Sequence, residues 1–87
     1  MKVYPISSPE QLKALSSSVK WQFDNLKVLD LATAWSATIR RDPSTVIPFT
    51  VTMELGRSAI LYKESNGEKK KLATLYLAGA REFAKKL

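Results

Sequence analysis

The 87-residue sequence contains neither histidine nor cysteine. Without imidazole it lacks the side chain that most often moves protons near neutral pH, and the two absences together remove the usual ligands of transition metals. Without thiols it has no cysteine nucleophile and no disulfide bond, which is typical of a reducing compartment. Carboxylates, lysines, arginines and hydroxyls remain, and they form no catalytic motif. The composition therefore predicts a protein that is not an enzyme and that needs no metal or cofactor.

Long apolar runs are also missing from the sequence. The longest are only a few residues, whereas a membrane-spanning helix needs about 20. Residues 1–9 lack the apolar segment of a signal peptide. We therefore expect a soluble protein with no membrane contact, either cytoplasmic or carried in a virus particle. Because 87 residues cannot build two hydrophobic cores, we expect residues 1–87 to form a single domain.

Positive charge is abundant and unevenly distributed. The net charge is +6, and residues 57–87 contain eight Lys/Arg against three Asp/Glu, whereas residues 1–56 contain six against five. Such asymmetry is typical of proteins with anionic partners, although net charge also serves solubility.

The first residues predict an extended segment followed by a helix. Val3 and Tyr4 favour a short edge strand. Ser8 can cap a helix that begins at Pro9, where no backbone N–H is needed, and Gln11 completes a capping box.

A second helix is predicted to begin near Asp24 or Asn25, either of which can cap it, and to end at Arg41. Apolar residues recur along it at spacings of three and four, which is one face of a helix. The three serines 16–18 favour two helices over one bent helix across 9–41. The apolar positions are Val28, Leu31, Ala32, Trp35 and Ile39.

Residues 46–55 alternate between apolar and polar side chains, which predicts a half-buried strand. Pro48 lacks a backbone donor and favours an edge position. Gly56-Arg57 fits a type II′ hairpin turn with glycine at its first central position. A two-residue loop there pairs Met53 with Ile60, and this register turns Ile60 and Tyr62 toward the core.

The segment from residue 68 onward has two interpretations. Asn66-Gly67 is a strong hairpin turn, so 69–77 can be a third strand. Helical spacing of the apolar residues favours instead a helix over 68–86. The predicted fold is a small α+β domain in the order helix, helix, strand, strand, helix, with a β-hairpin at about 46–64 covered by helices.

The basic residues of the second half are the candidate nucleic-acid contacts, since binding of phosphates needs several cations. On the predicted last helix, Lys70, Arg81 and Lys85 lie together. A solvated polar surface would look the same in one sequence. The candidates are Arg57, Lys63, Lys70, Lys71, Arg81 and Lys85.

The apolar arc of that predicted helix is wider than one core requires. It therefore predicts either a central helix within one core or a homodimer in which Gly79 permits close approach. The candidate interface residues are Leu72, Tyr76, Gly79, Ala80 and Phe83.

Two functions follow from these patterns. The first is a small accessory or regulatory protein that binds DNA or RNA through its basic C-terminal half. The second is a protein–protein adaptor or inhibitor that binds an acidic or apolar surface, with the strand at 47–55 able to join a partner's sheet.

Overall fold

Strands and helices follow one another in the order β1 (Lys2–Ile6), α1 (Pro9–Ser18), α2 (Leu26–Arg41), β2 (Thr50–Leu55), β3 (Ala59–Ser65), β4 (Glu68–Leu75) and α3 (Leu77–Ala84). This computed structural model describes residues 2–18 and 26–87, and that part of the chain is a small α+β domain with three helices and one four-stranded antiparallel sheet. The α+β class is as predicted. The sheet has two more strands than the predicted hairpin, one at each edge.

The start of α1 follows the predicted capping chemistry with one difference. The Gln11 backbone N–H donates to the Ser8 hydroxyl at 3.2 Å. The Gln11 side-chain oxygen accepts from the backbone N–H of Ser7 at 2.8 Å, one residue earlier than in a standard capping box. These bonds satisfy donors at the helix start and connect it to β1.

The helices α1 and α2 are separate, as the serine run predicted. The proposed caps of α2, Asp24 and Asn25, lie outside the described residues. Arg40 and Arg41 form its last turn, where cations favour the helix dipole.

The first hairpin forms, but its first strand is shorter than predicted and its register differs. The predicted strand covered 46–55, whereas β2 begins at Thr50. Three residues, 56–58, connect β2 to β3, and the Gly56 N–H donates to the Ser58 carbonyl at 3.0 Å. In the described part of the chain only Asn66 and Gly67 have positive φ, so Gly56 does not form the predicted II′ turn. The extra loop residue pairs Met53 with Leu61. It therefore moves the neighbouring Ile60 and Tyr62 to the other face of the sheet.

The strand order β1-β2-β3-β4 places β2 inside the sheet. The predicted edge position of this strand is therefore wrong. Pro48 precedes Thr50, the first residue of β2, so its missing N–H interrupts no ladder.

Residues 68–75 form a strand, so the predicted helix over 68–86 is wrong. Asn66 and Gly67, with φ of 52° and 78°, form a two-residue turn that pairs Ser65 with Glu68. Positive φ at both central positions is the property of a type I′ turn, which matches the twist of a hairpin. Of the predicted helix over 68–86, only α3 is helical, and it begins after Tyr76.

The hydrophobic core combines alternate residues of the sheet with buried residues of all three helices. Fully buried side chains include Leu12 and Leu15 of α1, Val28 of α2, and Met53 and Leu61 of the central strands. At one end of the core the rings of Trp35 and Phe49 meet edge to face, with centroids 5.5 Å apart. No helix within the described residues is long and apolar enough to cross a membrane.

Candidate nucleic-acid interface

The side chains on the face of the sheet opposite the core are half-buried or exposed, and this face is called the outer face below. The pairing of Ile60 with Glu54, and of Tyr62 with both Thr52 and Lys71, defines it across the three strands β2, β3 and β4. Its members on these strands include Thr52, Glu54, Ile60, Tyr62, Lys69 and Lys71.

Lys69 lies on the outer face near the start of β4, opposite Glu64. Its ammonium is 4.5 Å from the centroid of the Tyr62 ring and forms an ion pair with the Glu54 carboxylate. The hydrogen bond to Glu54 raises the pKa of Lys69 above its usual value, despite partial desolvation. The Glu54 side chain is only 12% exposed, whereas that of Lys69 is 45% exposed. The carboxylate thus lies low on the sheet beneath a more accessible ammonium.

Two further lysines follow Lys69 along β4, Lys71 on the outer face and Lys70 on the opposite side of the strand. Lys71 lies opposite Tyr62 on the outer face and forms no ion pair with any described residue. Lys70 is 3.9 Å from the Glu68 carboxylate, and both side chains are more than 70% exposed. Exposed pairs of this kind are weak, so Lys70 remains accessible to an external anion.

Lys63 lies opposite Lys70 in the register, on the side of the sheet that faces the core. Its ammonium is 5.2 Å from the centroid of the Phe49 ring. The apolar part of the side chain is thereby packed while the charge stays at the end of the core.

The remaining predicted contacts lie at the opposite end of the sheet. Arg57 is exposed in the loop 56–58. Arg81 and Lys85 line a cleft beside Lys2 and Gly56. Lys63 lies four residues after Ala59, the first residue of β3. About 13 Å of strand therefore separates Lys63 from the end of the sheet where Arg57 lies.

The predicted arrangement of Lys70, Arg81 and Lys85 on one helix is therefore wrong, because a strand carries Lys70 and a helix carries the other two. The structure places Lys63, Lys70 and Lys71 on the same hairpin, with Lys71 on the outer face and Lys63 and Lys70 on the opposite side of the sheet. It brings together Arg81 and Lys85 separately.

The predicted interface residues do not share one helix either. Ala80 and Phe83 are buried in the hydrophobic core of the same chain. Leu72 is half-buried against that core, whereas Tyr76 is 50% exposed between β4 and α3. Gly79 is half-buried within α3. Three of the five residues, Leu72, Ala80 and Phe83, thus already take part in intramolecular packing, and two of these three are buried.

Tyr62 and Lys69 belong to this site but were not among the contacts predicted from the sequence. The Asn66-Gly67 turn indicates their position, because a type I′ hairpin at this turn pairs Lys69 with Glu64. With the correct register, Tyr62 then shares a face with Lys69 and Lys71.

Within the described residues, no group of three or more acidic side chains could hold a metal ion. No protein-family model, curated protein or solved structure matches this chain.

Proposed function

We propose that this protein is a non-enzymatic, cytoplasmic binding protein that contacts single-stranded nucleic acid through the outer face of its sheet. The observation that carries the proposal is the juxtaposition of Tyr62 with Lys69 and Lys71. Proteins that bind single strands combine aromatic rings, on which bases stack, with cations that follow the phosphates.

The layer arrangement supports this choice. We infer that the helices cover one face of the sheet, because the inward-pointing side chains of β2, β3 and β4 share one core with α1, α2 and α3. The outer face then stays available to a flat ligand. An antiparallel sheet with one solvated face normally carries polar residues there, and an aromatic ring between two lysines is a more specific combination.

Binding would proceed by exchange of anions. In the free protein Lys69 is paired with Glu54 and covers the Tyr62 ring. A phosphate that competes for the ammonium moves it away from the carboxylate and exposes the ring to a base. Lys63, Lys70 and Lys71 contribute charge along the same hairpin, while Arg57, Arg81 and Lys85 remain predicted contacts for a strand long enough to reach the far end.

The test is fluorescence anisotropy with labelled single-stranded DNA, single-stranded RNA and a duplex at low salt. We expect single strands to bind best and the logarithm of affinity to fall linearly with the logarithm of salt concentration. A triple variant with Glu in place of Lys69, Lys70 and Lys71 should lose binding. The matched control replaces the exposed cations Lys13, Lys27 and Arg41 of α1 and α2 with Glu. This control changes the net charge equally and should keep most of the binding affinity.

Two results would refute the proposal: no association of the unmodified protein with any of the three nucleic acids, or equal losses in both triple variants. The lysines of β4 have a second possible role, because lysines on an edge strand prevent unwanted pairing with other chains. Glutamates at the same positions would keep that protection. If the variant with Glu at 69, 70 and 71 stays monomeric but no longer binds nucleic acid, the lysines serve nucleic-acid binding and not only edge protection.

The alternative function is a protein–protein adaptor or inhibitor, and it is favoured by the exposure of Tyr76 and of Val3, which is 55% exposed. The predicted mode of contact changes, because β2 is paired on both sides and cannot join a partner's sheet. The free edges belong to β1 and β4. Capture of a partner that survives nuclease treatment would favour this alternative.

A homodimer remains a prediction, with Leu72 and Tyr76 as the interface residues that the core leaves accessible. Sedimentation over a range of concentrations tests it, and Tyr76→Ser should weaken any dimer without removing core contacts.

A further inference from the structure

A cleft of about 490 Å³ lies between β1, the end of β2 and α3, away from the outer face. Its volume is within the roughly 300–1,000 Å³ usual for small-molecule sites. The side chains that matter for its chemistry are Lys2, Tyr4, Leu55, Arg81, Ala84 and Lys85.

Local structure explains why these residues meet. Lys2 and Tyr4 are two apart on β1, so they point to the same face, and Lys2 pairs with Leu55 in the register. Arg81 and Lys85 are four apart at the end of α3, so they lie on the same side of the helix. The small side chain of Ala84 leaves space between them.

The rim of the cleft is positive and its floor is apolar. Three cations line it and no acidic residue does. Among the described residues, Lys2 and Arg81 form no ion pair. Lys85 bonds Glu82 at 3.1 Å, but both side chains are 72% exposed, so the pair is weak. Like charges around a concavity repel one another, and a bound anion removes that repulsion.

The residue types narrow the class of anion. A phosphomonoester carries a charge of about −1.5 to −2 at neutral pH, which suits three cations better than a single carboxylate does. The Arg81 guanidinium can bind two phosphate oxygens at once. The Tyr4 ring and the Leu55 side chain offer a surface for a flat or apolar body.

We propose that this cleft binds a small organic phosphate with an aromatic or apolar body, anchored by Arg81, Lys85 and Lys2. The site shares no residue with the outer face, although Arg81 and Lys85 are also predicted contacts for the far end of a long nucleic-acid strand. Its binding of a small phosphate does not depend on Tyr62 or on the lysines of β4, so the two sites can be tested separately.

The probe is adenosine 5′-monophosphate, titrated into the full chain at low salt by calorimetry. The backbone amide shifts of Gly56 and Ala84 serve as a second readout. We expect binding of the monophosphate that is at least about tenfold tighter than that of adenosine or of inorganic phosphate. Arg81→Gln should weaken it about tenfold, the usual loss when one charged hydrogen-bond partner is removed. Lys86→Gln, a matched change at an exposed cation outside the cleft, should have little effect.

The proposal is overturned if adenosine or inorganic phosphate binds as tightly as the monophosphate. It is also overturned if Arg81→Gln and Lys86→Gln behave alike, or if the shifts appear at Tyr62 and Lys71 instead. Phenyl phosphate and benzoate, compared in the same titration, separate a phosphate site from a general carboxylate site, and only a preference for phenyl phosphate supports the proposal. Lys71→Glu should impair nucleic-acid binding alone, so failure of one site does not imply failure of the other.

Discussion

The ammonium of Lys69 lies 4.5 Å from the centroid of the Tyr62 ring while it pairs with the carboxylate of Glu54. One cation thus serves an aromatic ring and an internal anion at once. The outer face is therefore not simply a positive surface. The charge of Lys69 is neutralised by Glu54 in the free protein, and any external phosphate must compete with Glu54 for it.

This competition predicts that Glu54→Gln increases the affinity for single-stranded nucleic acid. The amide cannot hold Lys69 as the carboxylate does, so the ammonium becomes available to phosphates. We expect a gain of up to about fivefold, the range of a partly exposed ion pair. Glu68→Gln is the matched control: it removes the same charge, but its carboxylate is 3.9 Å from Lys70 in a fully solvated pair. Equal gains would show that only net charge matters.

The observed register predicts unequal costs for two neighbouring residues of β3. Leu61 is fully buried in the core, whereas Ile60 is half-buried on the outer face. Leu61→Ala should lower the free energy of unfolding by about 2–5 kcal/mol, the usual range for a buried leucine. Ile60→Ala should cost clearly less. Urea denaturation measures both, and a larger cost at Ile60 would restore the register expected from the sequence.

The second hairpin predicts a conformational cost at Gly67. Its φ is 78°, and an added Cβ would meet no atom within 4 Å, so the whole effect comes from the backbone. Gly67→Ala should lower stability by about 1–2 kcal/mol, because alanine enters this region reluctantly. Gly67→Asn should recover part of the loss, since asparagine tolerates positive φ. If alanine is tolerated fully, the turn does not have this conformation.

The loop after α2 predicts a small pH dependence of stability. The Asp42 carboxylate accepts hydrogen bonds from the Ser44 hydroxyl at 2.7 Å and from the Ser44 backbone N–H at 3.1 Å. These bonds, that of the Ser44 hydroxyl above all, lower the pKa of Asp42 below its ordinary value. Because the folded-state pKa is depressed, the contribution is present above the unfolded-state pKa and is lost as pH falls through the folded-state value.

Ser44→Ala should therefore return the pKa of Asp42 toward its ordinary value, which an NMR titration of the carboxyl group measures. The difference in melting temperature between the unmodified protein and Asp42→Ala should be present at pH 7 and should shrink at pH 2. A difference that is independent of pH would mean that the bonds to Ser44 act equally on the protonated carboxyl.

The sequence predicted α1, α2 and β2 because apolar residues recur regularly along each of them, at spacings of three and four in the helices and of two in the strand. The hairpin register was wrong because it depends on loop length, and Gly56-Arg57-Ser58 can form a loop of two or three residues without changing either strand. Glycine at residue 56 favoured the shorter loop because glycine can adopt positive φ, but Gly56 does not have a positive φ in the structure. A one-residue error then exchanged the two faces of β3 and concealed the position of Tyr62.

The last helix was overextended for a different reason. The sheet register shifts between Leu61 and Tyr62, where Leu72 is an extra residue in β4. This bulge breaks the alternation that identifies a strand. It leaves Leu72, Leu75 and Tyr76 at helical spacings that continue into α3. The candidate site could not be assembled from the sequence because it depends on this bulge and on the hairpin loop together.

The bulge also determines which changes in chain length β4 can accept. Lys71 pairs with Tyr62 and Ala73 pairs with Leu61, so removal of Leu72 would join two segments that are already in register. A deletion at 70 or at 74 would instead turn lysines toward the core or core residues toward water. Residue 72 is therefore the position in this strand where a shorter homologous chain could lose one amino acid and keep both faces of the sheet.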